Sequence, residues 1–373
     1  MKFLISAPLL LEHLLKVNGA IVSKPILPIL DHMLFDIKDG VLTISTTDLE
    51  TSMSTNLNVE SKENVTVAIP AKLLIDTLRS LPDQPITMTV NEDTYAIAIN
   101  TANGKFDLPG QNGIDFPKIP NIESDNSFSM PSNVLLRSIV KTVFATGNDD
   151  LRLNLTGVFV EIGQNDLSFV ATDANRLVKV TRTDVKPGLE HSFILPKKAL
   201  NLLKSSLSND VTPIQLDFNK SNVFFTSNNL KLSCRLIDEK YPDYKAVIPL
   251  ENNNIISINR IEFLDTVRRV ANFSNKTTHQ IRVKITGNEL VASAEDLEMS
   301  NKANEKRTCE YDGEDIEIGF NSKFLIELLT NLDHDQVLLK LSTPNRAGLL
   351  VPIENELDEE VLMLIMPMML NNY

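Results

Sequence analysis

Apolar residues recur along this chain in two rhythms. In PLLLEHLLKVNG from Pro8, Leu11, Leu14 and Leu15 fall at three- and four-residue spacing, as do Leu135, Ile139 and Val143 in SNVLLRSIVKTVFA from Ser132. That spacing puts them on one face of an α-helix. RIEFLDTVRRVAN from Arg260 reads the same way. Three further segments, AIPAKLLIDTLRSL, ILPKKALNLLKSSL and GFNSKFLIELLTNL, each pass from a strand into a short amphipathic helix. Between the helices, runs such as NLKLSCRLI and NVFFTS read as strands of antiparallel sheet.

The pattern repeats with a period of about 125 residues. HMLFDIKDGVLTISTTDLE, GVFVEIGQNDLSFVATDANR and IRVKITGNELVASAEDLE align so that Ile37, Ile162 and Ile285 close one strand and Leu42, Leu167 and Leu290 open the next. An acidic turn follows at Asp48, Asp173 and Asp296. Lys72, Lys198 and Lys323 hold equivalent places in the second helices, and Pro117, Pro242 and Pro367 close the series. A unit this long exceeds a solenoid repeat, so each copy is expected to be a complete domain. The expectation is an α+β chain of three repeated domains, 1–125, 126–253 and 254–373, each with two helices and about eight antiparallel strands. The boundaries fall in the polar stretches IESDNS and ENNN.

Composition alone argues against nucleic acid, because the net charge is −13. Charge placement reverses that argument. The helical segments are net basic, with Lys197, Lys198 and Lys204 on the most basic one, so the sheets and loops carry the acidic surplus. Such a protein presents phosphates with one attractive surface and repels them elsewhere. Trp is absent and Tyr numbers five, which disfavours a stacking platform for single strands. No zinc-finger, helix-turn-helix or basic-zipper pattern reads base edges. What remains is backbone attraction to a duplex.

The search for chemistry comes back empty. The five histidines are scattered without metal-ligand spacing, and no phosphate loop or G-x-S-x-G elbow occurs. Acidic pairs such as Glu295 and Asp296 sit at the turn positions of the repeat, which favours a turn role. No catalytic residue, metal or cofactor is expected. Two cysteines, Cys234 and Cys309, make no disulfide framework and fit a reducing cytoplasm. The apolar start is broken by Pro8, Glu12 and His13, unlike a signal peptide, and Val361 to Leu370 is too short for a membrane span.

Taken in order, several segments carry a specific likeness: KPILPIL at Lys24, TDLE at Thr47, GKFDL at Gly104, DFP at Asp115, VATDANRL at Val170, YPDYKAVIP at Tyr241, EIGFN at Glu317 and MPMML at Met366. With the threefold repeat they make the chain resemble, over its whole length, the beta subunit family of bacterial DNA polymerase III, the sliding clamps. The resemblance implies half of a ring. Two chains close head to tail as a homodimer, with helices lining the hole and continuous sheets outside, around duplex DNA without sequence specificity. A clamp loader opens the ring, and replicative polymerase and repair proteins dock short linear peptides on it. A scaffold of the same fold that no longer encircles DNA is the alternative from another class, and a nucleotide-processing enzyme a distant third.

The resemblance also assigns residues. Lys24 and Arg152 join Lys197, Lys198 and Lys204 as expected phosphate contacts, with Lys72, Arg79, Lys141 and Arg269 drawn from the same helix faces. The peptide pocket is expected at Leu155, Thr172, Ala174, Asn175, Arg176 and Leu177, with Pro242 and Val247. The tail completes it with Ile365, Met366, Pro367, Met368, Met369 and Leu370. Methionines suit a surface that accepts several partners, and Pro367 suits an edge strand. Arg176 is expected at the rim, facing the ligand. Ring closure is expected at Phe106 and Leu108, facing outward, against Phe273. Two departures stand out: Ala174-Asn175 where relatives often have Gly-His, and a tail continued by Asn371 to Tyr373.

Overall fold

The computed structural model describes residues 2–61, 63–121 and 124–370, so the continued tail at 371–373 lies outside it. Two compact units emerge: Met1–Leu136 with Lys198–Leu236, and Arg137–Lys197 with Ile237–Tyr373. The six expected helices are present: α1 (Ala7–Val17), α2 (Ala71–Arg79), α3 (Ser132–Thr142), α4 (Lys197–Ser206), α5 (Arg260–Ala271) and α6 (Ser322–Thr330). Asn259 caps α5 by accepting from the Glu262 amide, and Asn321 caps α6 through Lys323. The buried stripe of α1 is Leu10, Leu14 and Val17, while Leu15 is exposed. A run of leucines leaves the phase of the stripe undetermined, and packing settles it.

In the first unit a nine-stranded sheet runs Gln111–Asn112, Val65–Pro70, His32–Lys38, Val41–Thr47, Thr51–Asn58, Leu230–Arg235, Asn222–Ser227, Pro213–Phe218, Asn126–Pro131. A five-stranded sheet runs Glu60–Ser61, Lys2–Ser6, Pro85–Val90, Ile97–Asn100, Lys105–Leu108. In the second unit the nine-stranded sheet is His191–Pro196, Gly157–Ile162, Leu167–Thr172, Arg176–Arg182, Glu359–Ile365, Gly348–Pro352, Gln336–Leu341, Asn254–Asn259, Glu310–Tyr311. A four-stranded sheet runs Asn301–Thr308, Glu289–Asp296, Gln280–Thr286, Ile316–Asn321.

Each nine-stranded sheet fuses edge strands from two successive repeats. Thr51–Asn58 pairs antiparallel with Leu230–Arg235, placing Thr51 opposite Cys234. One repeat later Arg176–Arg182 pairs with Glu359–Ile365, placing Arg176 opposite Ile365. A fused sheet removes two exposed edges that would otherwise invite foreign pairing. The last strand is therefore central, not an edge. It ends at Ile365, and Pro367 lies beyond it, so the missing amide costs the ladder nothing.

The acidic turns are built alike. Asp48 accepts from the Glu50 and Thr51 amides, Asp173 from Asn175 and Arg176, and Asp296 from Glu298 and Met299. A carboxylate that accepts two turn amides satisfies donors the strand leaves free, which explains an acid at each copy. The turn puts Leu49 at φ 80° and Ala174 at φ 76°, the left-handed region where a Cβ is strained.

Candidate functional site

The expected phosphate contacts separate by what their charges already hold. Lys24, Lys72 and Lys204 are exposed, with no ion pair to a carboxylate among the described residues. Lys197 donates to Asn148 at 2.9 Å, and Lys198 pairs with Asp48. Arg152 pairs with Asp149 at 2.9 Å, and Arg79 lies 4.0 Å from Asp76. Arg269 forks onto Glu305 with contacts of 2.9 and 2.7 Å. Hydrogen bonding from that guanidinium holds the Glu305 carboxyl down at about 2. Lys141 departs from expectation. Its side chain is buried, with the ammonium 2.7 Å from Asp333. A buried, paired ammonium is bound into the fold and is not offered to a duplex.

That pair belongs to a charged network that sequence reasoning missed. Glu359 is buried and accepts from Arg137 Nε and Arg182 Nη1, each at 2.7 Å. Arg137 also reaches Asp333 at 2.9 Å and Glu356 at 3.1 Å, and Arg182 reaches Asp184 at 2.6 Å. The network pins α3 and the strand Arg176–Arg182 to the last strand. Its only trace in the sequence is an acid at the head of an apolar run.

The residues expected to line the peptide pocket all belong to the second unit. Leu177 stands opposite Leu364 in the fused sheet and packs in one apolar cluster with Val170, Ile194, Tyr241, Tyr244 and Leu349. Tyr241 stacks on Phe159 with ring centroids 4.7 Å apart, and its hydroxyl donates to the Val170 carbonyl at 3.3 Å. Tyr244 donates to Glu161 at 2.6 Å. Burial pushes both tyrosine hydroxyls up, so they remain neutral donors. Leu155, Thr172 and Leu177 are buried, whereas Pro242, Val247, Ala174 and Asn175 are exposed beside them in the chain's surface.

The tail is tied down strand-fashion. The Met366 amide donates to the Asn175 carbonyl and the Met368 amide to the Gly319 carbonyl, both at 2.8 Å. Gln280 Nε2 donates to the Met369 carbonyl at 2.8 Å. A Cβ on Gly319 would meet the Met368 carbonyl at 2.6 Å, so this approach needs glycine. Met366 and Met369 are exposed, and Pro367, Met368 and Leu370 half-buried. Ile365 is fully buried and is core, not lining.

Arg176, expected at the rim, is buried and already partnered within the chain. Its guanidinium donates to Asp173 at 3.1 Å and the Phe144 carbonyl at 3.0 Å, and it pairs with Glu327. It also lies over the Phe324 ring, 4.8 Å from the centroid. These contacts from Nε, Nη1 and Nη2 tie the strand Arg176–Arg182 to α6 and to the backbone at Phe144.

Of the expected closure residues, Phe106 and Phe273 are exposed on their surfaces. Leu108 is buried within its own sheet, a core position where an outward one was expected. The strands Lys105–Leu108 and Asn301–Thr308 are both unpaired sheet edges. The second was not singled out from sequence, because NKANEKRT is polar at every position but Ala303 and shows no apolar alternation. Among the described residues no cluster of His, Cys, Asp or Glu is placed to hold a metal, and no helix is long and apolar enough to cross a membrane.

Comparison with known proteins bears on the whole chain. Three domain profiles match in order: DNA polymerase III beta subunit, N-terminal domain at residues 1–120, central domain at 129–243 and C-terminal domain at 245–369. A beta sliding clamp from Haemophilus influenzae is 32% identical over 372 residues, 99% of this chain and 100% of the relative. That of Escherichia coli is 27% identical over 371 residues, with coverage of 99% and 100%. A solved DNA polymerase sliding clamp from Pseudomonas aeruginosa matches with a TM-score of 0.94 at 28% identity, covering 99% of this chain and 100% of that one.

Proposed function

This chain belongs to the DNA polymerase III beta subunit family, the beta sliding clamps, and on that premise we propose that two copies close head to tail around duplex DNA. It is a processivity clamp and catalyses no step itself. A ring binds topologically, so residence on DNA is long even where each phosphate contact is weak. Three clamp domains, 1–125, 126–253 and 254–373, supply the half ring. A loader opens it, and polymerase and repair proteins dock extended peptides over Leu177, Val247 and the tail.

One observation carries this reading. The strand pairing that fuses neighbouring repeats occurs twice within the chain, and the two edges left over are the corresponding ones. An edge on the first repeat and its complement on the third suit closure by a second copy, since two identical heterologous contacts close a two-membered ring.

Solution mass tests the dimer, which must be twice the 41.6 kDa of the chain. Retention on nicked circular against linear DNA tests encirclement. A clamp stays on the circle and runs off free ends, whereas equal loss from both leaves only a scaffold.

A further inference from the structure

The two fused sheets carry the same site with opposite chemistry. Val170 lies 125 residues after Ser45, and Leu177 lies 125 after Ser52. The ladders agree, since Leu34 faces Ser45 as Phe159 faces Val170. Across the joints Ser52 faces Ser233 and Leu177 faces Leu364. Ser45, Ser52 and Ser233 therefore hold in the first unit the places that Val170, Leu177 and Leu364 hold in the apolar cluster of the second. Ile119 corresponds by the same spacing to Tyr244.

In the first unit those serines line an open cleft of about 350 Å³, bordered by Ile119. Their exposures are only 5%, 4% and 7%. Among the described residues the Ser45 and Ser233 hydroxyls have no hydrogen-bond partner, and the Thr226 hydroxyl oxygen, in the lining of the same cleft, is buried without one. Buried hydroxyls are ordinarily bonded, so these donors and acceptors are left for a ligand. The ends of the cleft are charged. Asp36 accepts from Thr66 at 2.9 Å and Lys38 at 2.7 Å, and Ile119 offers it nothing like the hydroxyl that Tyr244 donates to the counterpart, Glu161, at 2.6 Å. Lys231 is exposed, with no ion pair to a carboxylate among the described residues.

Leu34, Ser45, Ser54, Lys231 and Thr226 face one another in a single row across five neighbouring strands. Four inter-strand steps span roughly 19 Å, about the length of six extended residues. Resting on the peptide reading of the second unit's pocket, we infer that this cleft takes a short extended segment of a partner protein anchored by amide side chains, Asn or Gln. An extended segment laid along the row turns every second side chain to the floor. A serine or threonine hydroxyl both donates and accepts, and so does an amide. A leucine anchor would leave the buried hydroxyls unpaired and desolvated. A carboxylate would pair with Lys231 but also meet Asp36 and the acidic surplus of the sheets and loops, whereas an amide suits both ends. The two clefts of one chain thereby select different segments.

Two blocked octapeptides test this, one alternating Asn with Ala and one alternating Asp with Ala. Each is titrated into the full chain carrying NMR labels on its Thr, Ile and Val methyls. The Asn peptide should shift the Thr226 and Ile119 methyls saturably, with a dissociation constant on the order of 1 mM or below. The Asp peptide should bind there at least about tenfold more weakly. Ser45→Val with Ser233→Leu copies the floor of the second unit and should weaken the Asn peptide roughly tenfold, two hydrogen bonds being lost. Thr226→Val keeps the shape of the side chain, so it guards against a misfolded double variant, and it should weaken the same peptide several-fold at Ile119. Absence of a saturable shift, equal binding of the two peptides, or variants that bind as well as the parent would each overturn the assignment. In the same samples a polymerase C-terminal peptide reads the second unit through Val247. Its failure to bind there would count against that pocket, while the Thr226 and Ile119 response still decides the first cleft.

Discussion

Arg182 Nη1 lies 2.7 Å from Glu359 Oε2, an oxygen that also accepts from Arg137 Nε at 2.7 Å. Glu359 is only 3% exposed, so its charge is tolerated because two guanidiniums meet it. Replacing it by Gln keeps the shape and leaves both arginines short of a counter-charge. Each has another carboxylate to lean on, so the expected loss is ~2–3 kcal/mol, below the usual cost of breaking a buried pair. A urea denaturation midpoint unchanged in Glu359→Gln would show the network to be ornamental.

Ala174 sits at φ 76°, where an L side chain is strained by roughly 1 kcal/mol or more. Ala174→Gly should therefore stabilise the chain by about 0.5–1 kcal/mol, after the extra freedom glycine gains in the unfolded state. Ala174→Val should do the opposite. Thermal melts that rank the three as Val above Ala above Gly would contradict this geometry.

At the pocket, Leu177 is too buried to mutate cleanly, so the test belongs on exposed residues. Val247→Asp with Met369→Asp should weaken a polymerase C-terminal peptide at least tenfold, because each places a charge on the surface proposed to take its apolar anchors. Dimer mass should not change. Titration by fluorescence anisotropy reads the first and sedimentation the second.

On the basic surface, the lysines without carboxylate partners should matter most. Lys24→Glu with Lys72→Glu and Lys204→Glu should flatten the log–log salt slope of DNA association by roughly 2–3, at about 0.9 for each phosphate no longer neutralised. Lys141→Gln should leave the slope alone and lower the melting temperature. A slope unaffected by the triple change would move the DNA-binding surface to other residues.

Glu305 titrates at about 2 because Arg269 donates to it, against an ordinary value of 4.5. The shift is downward, so the stabilisation is present above the unfolded value and fades as pH falls from about 4.5 towards about 2. Arg269→Gln should return the Glu305 midpoint towards 4.5. Carboxyl NMR shifts followed against pH measure both midpoints directly.

The repeat made much of the fold legible. Spacing alone located all six helices and the acidic turns, because a threefold signal averages out local ambiguity. It did not locate the phase of α1, where closely spaced leucines fit more than one face. The resemblance implied continuous sheets, but spacing did not reveal which strands of neighbouring repeats fuse, since pairing across a long sequence separation leaves no local trace. That omission misplaced Pro367 on an edge and left Asn301–Thr308 unnoticed. The site was readable as a set of positions but not as a set of roles. Lys141 and Arg176 carry charges that look available until their partners, Asp333 and Asp173 with Glu327, are seen around them.

The fused sheets also determine how the protein responds to dilution. Strands Thr51–Asn58 and Leu230–Arg235 are tethered through one polypeptide, as are Arg176–Arg182 and Glu359–Ile365, so each pair meets at an effective concentration that does not depend on how much protein is present. The free edges have no tether. In the proposed ring their encounter is bimolecular, so dilution would part them and leave the internal joints closed. The same joint design thus makes two permanent seams inside the chain, and in the proposed ring a third that mass action can open.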